Sequence, residues 1–295
     1  MPEPGAVPTI HGDPTLFREA VTFTAAETGF SPRLIEKDYF CTLVLWHLTA
    51  HAPDLVFKGG ACLAKVHLGF FRLSEDLDFL IPMPVTAPRS ARSRQVRATK
   101  RTFDEIGERV PDLRVRGRLA GANESKQYIG DLVYESRLER HEETIKVEIG
   151  LREPLLTPAI RGHARTLLMD PIGGGSMVAA FGLRCLSWEE SMAEKLRAAL
   201  SRREPAIRDF FDIDHAMRQQ GLAVLDAAFV RLVREKLTVP GNRLAPISAE
   251  RLADLEAQVG SRLRPVLRDR DFRGFDRHAL ARVWSEVANL AAAVP

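Results

Sequence analysis

Cysteine is scarce in this chain: three residues in 295, at positions 41, 62 and 185, with no CxxC pair. An odd and widely spaced set argues against a disulfide framework and against a zinc site, and leaves a reducing cytoplasm as the expected compartment. Aromatic residues are few as well, at 7%, yet 45% of the chain is hydrophobic, which excludes disorder as the default reading. No stretch approaches the roughly 20 apolar residues that a membrane span needs. The opening Met1-Pro2-Glu3-Pro4-Gly5 lacks the basic-then-apolar order of an export signal, so no membrane partner is expected. The net charge is only +3, and any attraction to a polyanion must therefore come from local clustering.

Such clustering is present. Between Arg89 and Arg118 stand ten Arg or Lys residues against four acidic ones, and a second Arg-rich stretch runs from Arg262 to Arg282. Clustered cations can neutralise nucleic-acid phosphates, although a solvated basic helix would look the same. The first dozen residues, rich in Pro and Gly, read as a loose arm. Helical spacing of apolar residues follows over 14–27 and 32–50, then a short buried strand at 55–57, a helix over 61–68 and a strand over 75–81. A basic helix is expected over 91–109, and strands over 113–118, 132–138 and 144–151. Beyond Pro154 almost only helical patterns remain, at 188–203, 205–219, 225–236, 249–259 and 277–292. Gly173-Gly174-Gly175-Ser176 lacks the GK[ST] ending of a phosphate loop and reads as a flexible link between domains. The expected fold is α+β: a domain over 1–165 with a mixed sheet, then a mainly α-helical domain over 166–295.

The residues able to carry chemistry concentrate in the first of these. Lys58-Gly59-Gly60 precedes a helix, and a glycine pair there lets backbone N–H groups approach phosphate oxygens closely. In Ser74-Glu75-Asp76-Leu77-Asp78, strand alternation puts Asp76 and Asp78 on one face. Glu148, in Lys146-Val147-Glu148 on a later strand, could complete a set of hard oxygen ligands for Mg²⁺ or Mn²⁺. Each fragment taken singly is more often a turn or a solvated strand end. Their succession favours a metal site, because neighbouring like charges repel without a cation.

Further along, Lys195 shares a helix face with Ser191 and Arg202, separated by the small Ala198 and Ala199. Asp209 and Asp212 follow at i and i+3, where an ordinary Arg208–Asp212 helix ion pair is the bland alternative. His47 and His51 have a metal-compatible i, i+4 spacing but no third ligand, and Cys62 reads as a packed thiol.

Together, Glu36-Lys37-Asp38-Tyr39, Lys58-Gly59-Gly60, Leu73 to Asp78, Glu194-Lys195-Leu196 and Arg208-Asp209-Phe210-Phe211-Asp212 resemble the AbiEii/AbiGii nucleotidyltransferase toxins and the related MenT-like tRNA nucleotidyltransferase toxins. The resemblance implies that Asp76 and Asp78 bind metal, that Ser74 contacts nucleotide phosphates alongside Gly59 and Gly60, and that Lys195, helped by Arg202 or Arg203, holds the triphosphate. It makes Asp212 a further catalytic carboxylate, with Asp209 as its alternative. One departure stands out: the hydroxyl residue that usually follows the glycine pair is replaced by Ala61 and Cys62. The implied activity is Mg²⁺-dependent transfer of a nucleotide from a nucleoside triphosphate to RNA, at the tRNA 3′ end, with release of pyrophosphate and arrest of translation. A cognate antitoxin is the implied protein partner. Two rivals are carried: a nucleotidyltransferase acting on a protein or small-molecule hydroxyl, and a non-catalytic RNA- or partner-binding module.

Overall fold

The computed structural model describes residues 9–294. Part of the expected loose arm lies outside them. Its described end is ordered: Ile10–Gly12 forms a 3₁₀ turn, and His11 is buried against Tyr39, with Nδ1 2.7 Å from the phenol oxygen.

Local signals explain the first two helices. Asp13 caps α1 (Pro14–Thr28) by accepting from the Thr15 and Leu16 N–H groups at 3.0 and 3.1 Å, and Gly29 ends it with φ +78. Ser31 caps α2 (Pro32–His51), with Pro32 at its first turn. There follow β1 (Val56–Lys58), the one-turn α3 (Gly59–Cys62), a π-helical turn (Leu63–His67) and β2 (Asp76–Leu80). The expected basic helix is three short ones, α4 (Arg89–Gln95), α5 (Arg97–Asp104) and α6 (Ile106–Arg109). Val96 and Glu105, with ψ near zero, break the run. Next come β3 (Arg114–Ala122), β4 (Gln127–Glu135), β5 (Glu142–Gly150), β6 (Ile160–Ala164) and β7 (Phe181–Cys185).

These strands form one mixed sheet in the order β3-β4-β5-β2-β1-β7-β6. β2 runs parallel to β5 and β1 parallel to β7, while the remaining pairs are antiparallel. One face is the core. Leu77 and Phe79 of β2, Leu132 and Tyr134 of β4, and Ile145, Val147 and Ile149 of β5 pack there with α1 and α2. Phe40 of α2 stacks on Tyr134 with ring centroids 3.9 Å apart. Alternation sends the intervening residues to the other, half-buried face.

The chain divides into two compact units. The first runs to Leu155 and resumes over Ala159–Leu186; the second comprises Leu156–Pro158 and the chain from Ser187 onward. The first unit thus takes in β6 and also β7, which lies beyond the boundary expected near residue 165. These two strands depart from the almost wholly helical pattern read after Pro154. Each has only two buried residues, Gly162 with Ala164 and Leu183 with Cys185, too short an alternation to read. The glycine triplet is a tight turn inside the first unit rather than a link: Gly174 N–H donates to Asp170 O, Asp170 N–H to Gly175 O, and Gly174 takes φ +68.

The second unit is helical: α7 (Trp188–Ser201), α8 (Ile207–Gln220), α9 (Ala227–Leu237), α10 (Ala249–Gln258), α11 (Asp269–Gly274) and α12 (Arg277–Ala293). Ser187 caps α7 by accepting from Glu190 N–H. Phe210 of α8 stacks on Trp284 of α12. A buried Lys236–Glu190 pair at 2.8 Å ties α9 to α7.

Candidate active site

The parallel pairing of β2 with β5 sets Asp76 opposite Lys146 and Asp78 opposite Glu148. On the other flank of β2, Lys58 stands opposite Asp78, and on the far side of β5, Asp131 stands opposite Lys146. Residues directly opposite one another share a face. Backbone hydrogen bonding thus brings Asp76, Asp78 and Glu148 together with two lysines on the half-buried face. Lys146 Nζ donates to Glu148 Oε2 at 3.1 Å. Partial burial pulls the Lys146 ammonium down, but its hydrogen bond to Glu148 and the charges of Glu148, Asp76 and Asp78 outweigh this and raise its pKa. All three carboxylates act on one cation. They are hard oxygen donors, the type that Mg²⁺ or Mn²⁺ takes.

The glycine pair is held against this cluster. Gly59 has φ +74, and a Cβ there would collide with the Asp78 carboxylate. A Cβ on Gly60 would collide with the guanidinium of Arg72, which is buried, donates to Leu73 O at 3.0 Å and lies over the Phe71 ring. Ser74 is half-buried in the segment leading to β2. Arg72 was not singled out from the sequence. The available signal was a charged residue flanked by the apolar Phe71 and Leu73, which demands a buried partner.

The Glu36-Lys37-Asp38-Tyr39 motif is a buried clamp. Glu36 accepts from Ser136 Oγ at 2.6 Å and from Arg137 N–H at 2.7 Å. Lys37 pairs with Glu143 at 3.0 Å. Asp38 takes Lys65 Nζ at 2.6 Å and Leu167 N–H at 2.9 Å. Three consecutive charged residues thereby fix α2 to the β4–β5 connection, to the π-helical turn after the glycine pair and to the chain beyond β6. His47 and His51 instead contact backbone oxygens of Thr102 and His47, and no third metal ligand joins them among the described residues.

The basic stretch presents Arg89, Arg94, Arg97 and Arg101 to solvent, while Arg92 is buried and donates to Val85 O. On the edge strand β3, Arg114 and Arg116 pair with Glu142, and Arg116 also reaches Thr144 Oγ1 on the carboxylate face.

In the second unit Lys195 Nζ bridges Asp209 Oδ1 at 2.8 Å and Asp212 Oδ2 at 2.9 Å, and Arg202 Nε meets Asp209 Oδ2 at 3.0 Å. Both carboxylates are buried. Burial pushes Asp209 up, but the charges of Lys195 and Arg202 prevail and lower its pKa. Asp212 thus meets a cation from another helix, Lys195 of α7. Arg203 is exposed, and its carbonyl accepts from Arg251.

The family profile described as nucleotidyl transferase AbiEii toxin, type IV toxin-antitoxin system, matches residues 44–282, well over half of the chain. The chain belongs to the AbiEii family. It is thereby a member of a nucleotidyltransferase family whose toxins act in systems that include an antitoxin partner. The AbiEii match contains the glycine pair, Asp76, Asp78, Glu148, Lys195 and Asp212, while Glu36 to Tyr39 precede it. No curated protein matches the chain. Among solved structures it is similar to JHP933 from Helicobacter pylori, at 15% identity over 90% of this chain and 93% of that one, with a TM-score of 0.49. It is also similar to a candidate nucleotidyltransferase from H. pylori, at 15% identity over 89% and 90%, with a TM-score of 0.43. Among the described residues no helix is long and apolar enough to cross a membrane.

Proposed function

We propose that this AbiEii-family chain transfers a nucleotide from a nucleoside triphosphate to the 3′ end of tRNA, as the toxin of a type IV system restrained by a cognate antitoxin. The observation that supports this reading is the register of Asp78 with Glu148 across adjacent parallel strands, with Asp76 on the same face of β2. Asp76, Asp78 and Glu148 would hold Mg²⁺ or Mn²⁺. Such an ion, when bound, neutralises charge developing on the transferred phosphoryl group.

The acceptor hydroxyl oxygen forms a bond to the α-phosphorus, the bond to the bridging oxygen breaks, and pyrophosphate leaves. The hydroxyl proton passes to a carboxylate, for which Glu148 and Asp212 are the two assigned candidates. Gly59 and Gly60 offer close backbone approach to phosphates, and the Ser74 hydroxyl is assigned to donate to them. Lys195 and Arg203 are assigned to the negative charge of the departing pyrophosphate. The exposed arginines of α4 and α5 support a nucleic-acid acceptor, since each neutralised phosphate releases a counterion.

The deciding experiment incubates the purified chain with total tRNA, Mg²⁺ and each α-labelled triphosphate, with Asp76→Ala in parallel. The reading expects label in tRNA from one or two nucleotides and none with Asp76→Ala. Label on protein or on a small molecule would replace the acceptor. No labelled product with any nucleotide would replace the enzyme by a binding module.

A further inference from the structure

Behind the glycine pair, three side chains distant in sequence meet inside the first unit. Cys62 ends α3, His67 ends the π-helical turn and Cys185 ends β7, and one ligand-capable atom from each lies within 4.8 Å of the others. Both cysteines are fully buried and outside any disulfide, and His67 is half-buried. We propose that Cys62, His67 and Cys185 form a binding site for a thiophilic d¹⁰ cation, with Zn²⁺ the expected ion, separate from the carboxylate site.

The donor set has the right chemistry. Thiolates and imidazole favour Zn²⁺ or Cu⁺ over the hard cations that suit Asp76 and Asp78. Bonds of about 2.3 Å to sulfur and about 2.0–2.1 Å to nitrogen put tetrahedral ligand atoms roughly 3.6–3.8 Å apart, so a contraction of about 1 Å closes the cluster. The surrounding shell is already built. His67 Nε2 lies 3.1 Å from the Leu186 carbonyl, and donating to it would fix the ring for a metal at Nδ1. The Gly162 N–H donates to the Cys185 sulfur. A Cβ at Gly162 would come within 2.8 Å of that sulfur and 2.6 Å of Val66 Cγ1, so a glycine at this position of β6 keeps the space the sulfur uses. Three protein ligands leave a fourth position for water.

The zinc site excluded from cysteine spacing is therefore restored by topology. β7 is hydrogen-bonded to β1, whose end leads directly into α3, so Cys185 and Cys62 become neighbours across a parallel pair that no CxxC spacing encodes. An ion held there ties the turn after the glycine pair to β7.

The test uses the full chain purified without chelator from zinc-supplemented cells, with metal content measured by mass spectrometry. About one Zn²⁺ per chain is expected in wild type and in Asp76→Ala, falling at least about tenfold in the Cys62→Ser/Cys185→Ser double variant. Reconstitution with Co²⁺ should give thiolate-to-cobalt charge-transfer absorption that the double variant loses. His67→Gln, which keeps both thiols, should weaken Co²⁺ binding at least about tenfold and serves if the double variant does not fold. Wild-type protein that takes up neither Zn²⁺ nor Co²⁺, or a double variant that retains them, overturns the site. A Cys62–Cys185 disulfide recovered from intact protein overturns it too.

Discussion

The two units hold their acidic residues by different means. In the sheet unit, Asp76, Asp78 and Glu148 owe their spacing to backbone ladders that any side chain would leave intact. In the helical unit, Asp209 and Asp212 are placed by the cation they share, Lys195, with Arg202 on Asp209 as well, and Asp214 likewise sits between Arg218 and Arg282, each at 2.7 Å. A backbone-registered acid keeps its place when its charge is removed, whereas a buried ion-paired one carries part of the packing. Chemistry and stability should therefore separate in the first unit and coincide in the second.

The largest expected effect is on activity. Asp78→Asn should lower nucleotide transfer by about 10²–10³-fold while stability shifts by less than about 1 kcal/mol, read by initial rates beside thermal melts. A large melting shift here would erase the contrast. Asp212→Ala should instead cost about 2–3 kcal/mol of stability, because it removes a buried charge-assisted partner of Lys195; denaturant unfolding measures this. Equal stability losses in Asp78→Asn and Asp212→Ala would show that register and ion pairing protect a site equally well.

Smaller effects sharpen the contrast within the first unit. Gly59→Ala must bear a left-handed backbone and a clash with Asp78, and should lose about 1–3 kcal/mol together with activity. Glu143 offers a pH test. Burial pushes it up, but the hydrogen bonds from Arg33, His141 and Lys37 win and bring it to about 2. Being depressed, it contributes stability that is present above the ordinary carboxylate value of 4.5 and lost as pH falls toward about 2. The stability gap between wild type and Glu143→Gln should accordingly close across that window in melts at graded pH. His51→Ala should change stability by less than about 0.5 kcal/mol, since the residue is exposed and its ring meets the His47 carbonyl and the rings of Trp46 and His47, all on its own helix.

What the sequence revealed follows from the length of each pattern. Asp76 and Asp78 were placed on one strand face because period-two alternation needs only a few residues, and α1 and α2 announced themselves by Asp13-Pro14 and Ser31-Pro32. β6 and β7 stayed hidden because five-residue strands with two inward positions each carry little pattern. The partnership of Lys146 with the carboxylates, the contact of Arg72 with Gly60, and the meeting of Cys62, His67 and Cys185 depend on which strands pair, and no local spacing records that. The Glu36 to Tyr39 motif was conspicuous, yet its buried hydrogen bonds could not be read before β4, β5 and the π-helical turn were in place around it.

The sheet order gives β5 one more consequence, for the time of synthesis. β5 lies between β4 and β2, so the β3–β4 hairpin joins the remainder of the sheet only through it. A growing chain that has extruded Asp76 and Asp78 but not residues 142–150 has the glycine pair and both aspartates, but neither Glu148 nor the strand that seats them. Non-local parallel pairing of this kind forms late. Until that strand has emerged and docked, the three carboxylates that the sheet brings into register are not assembled.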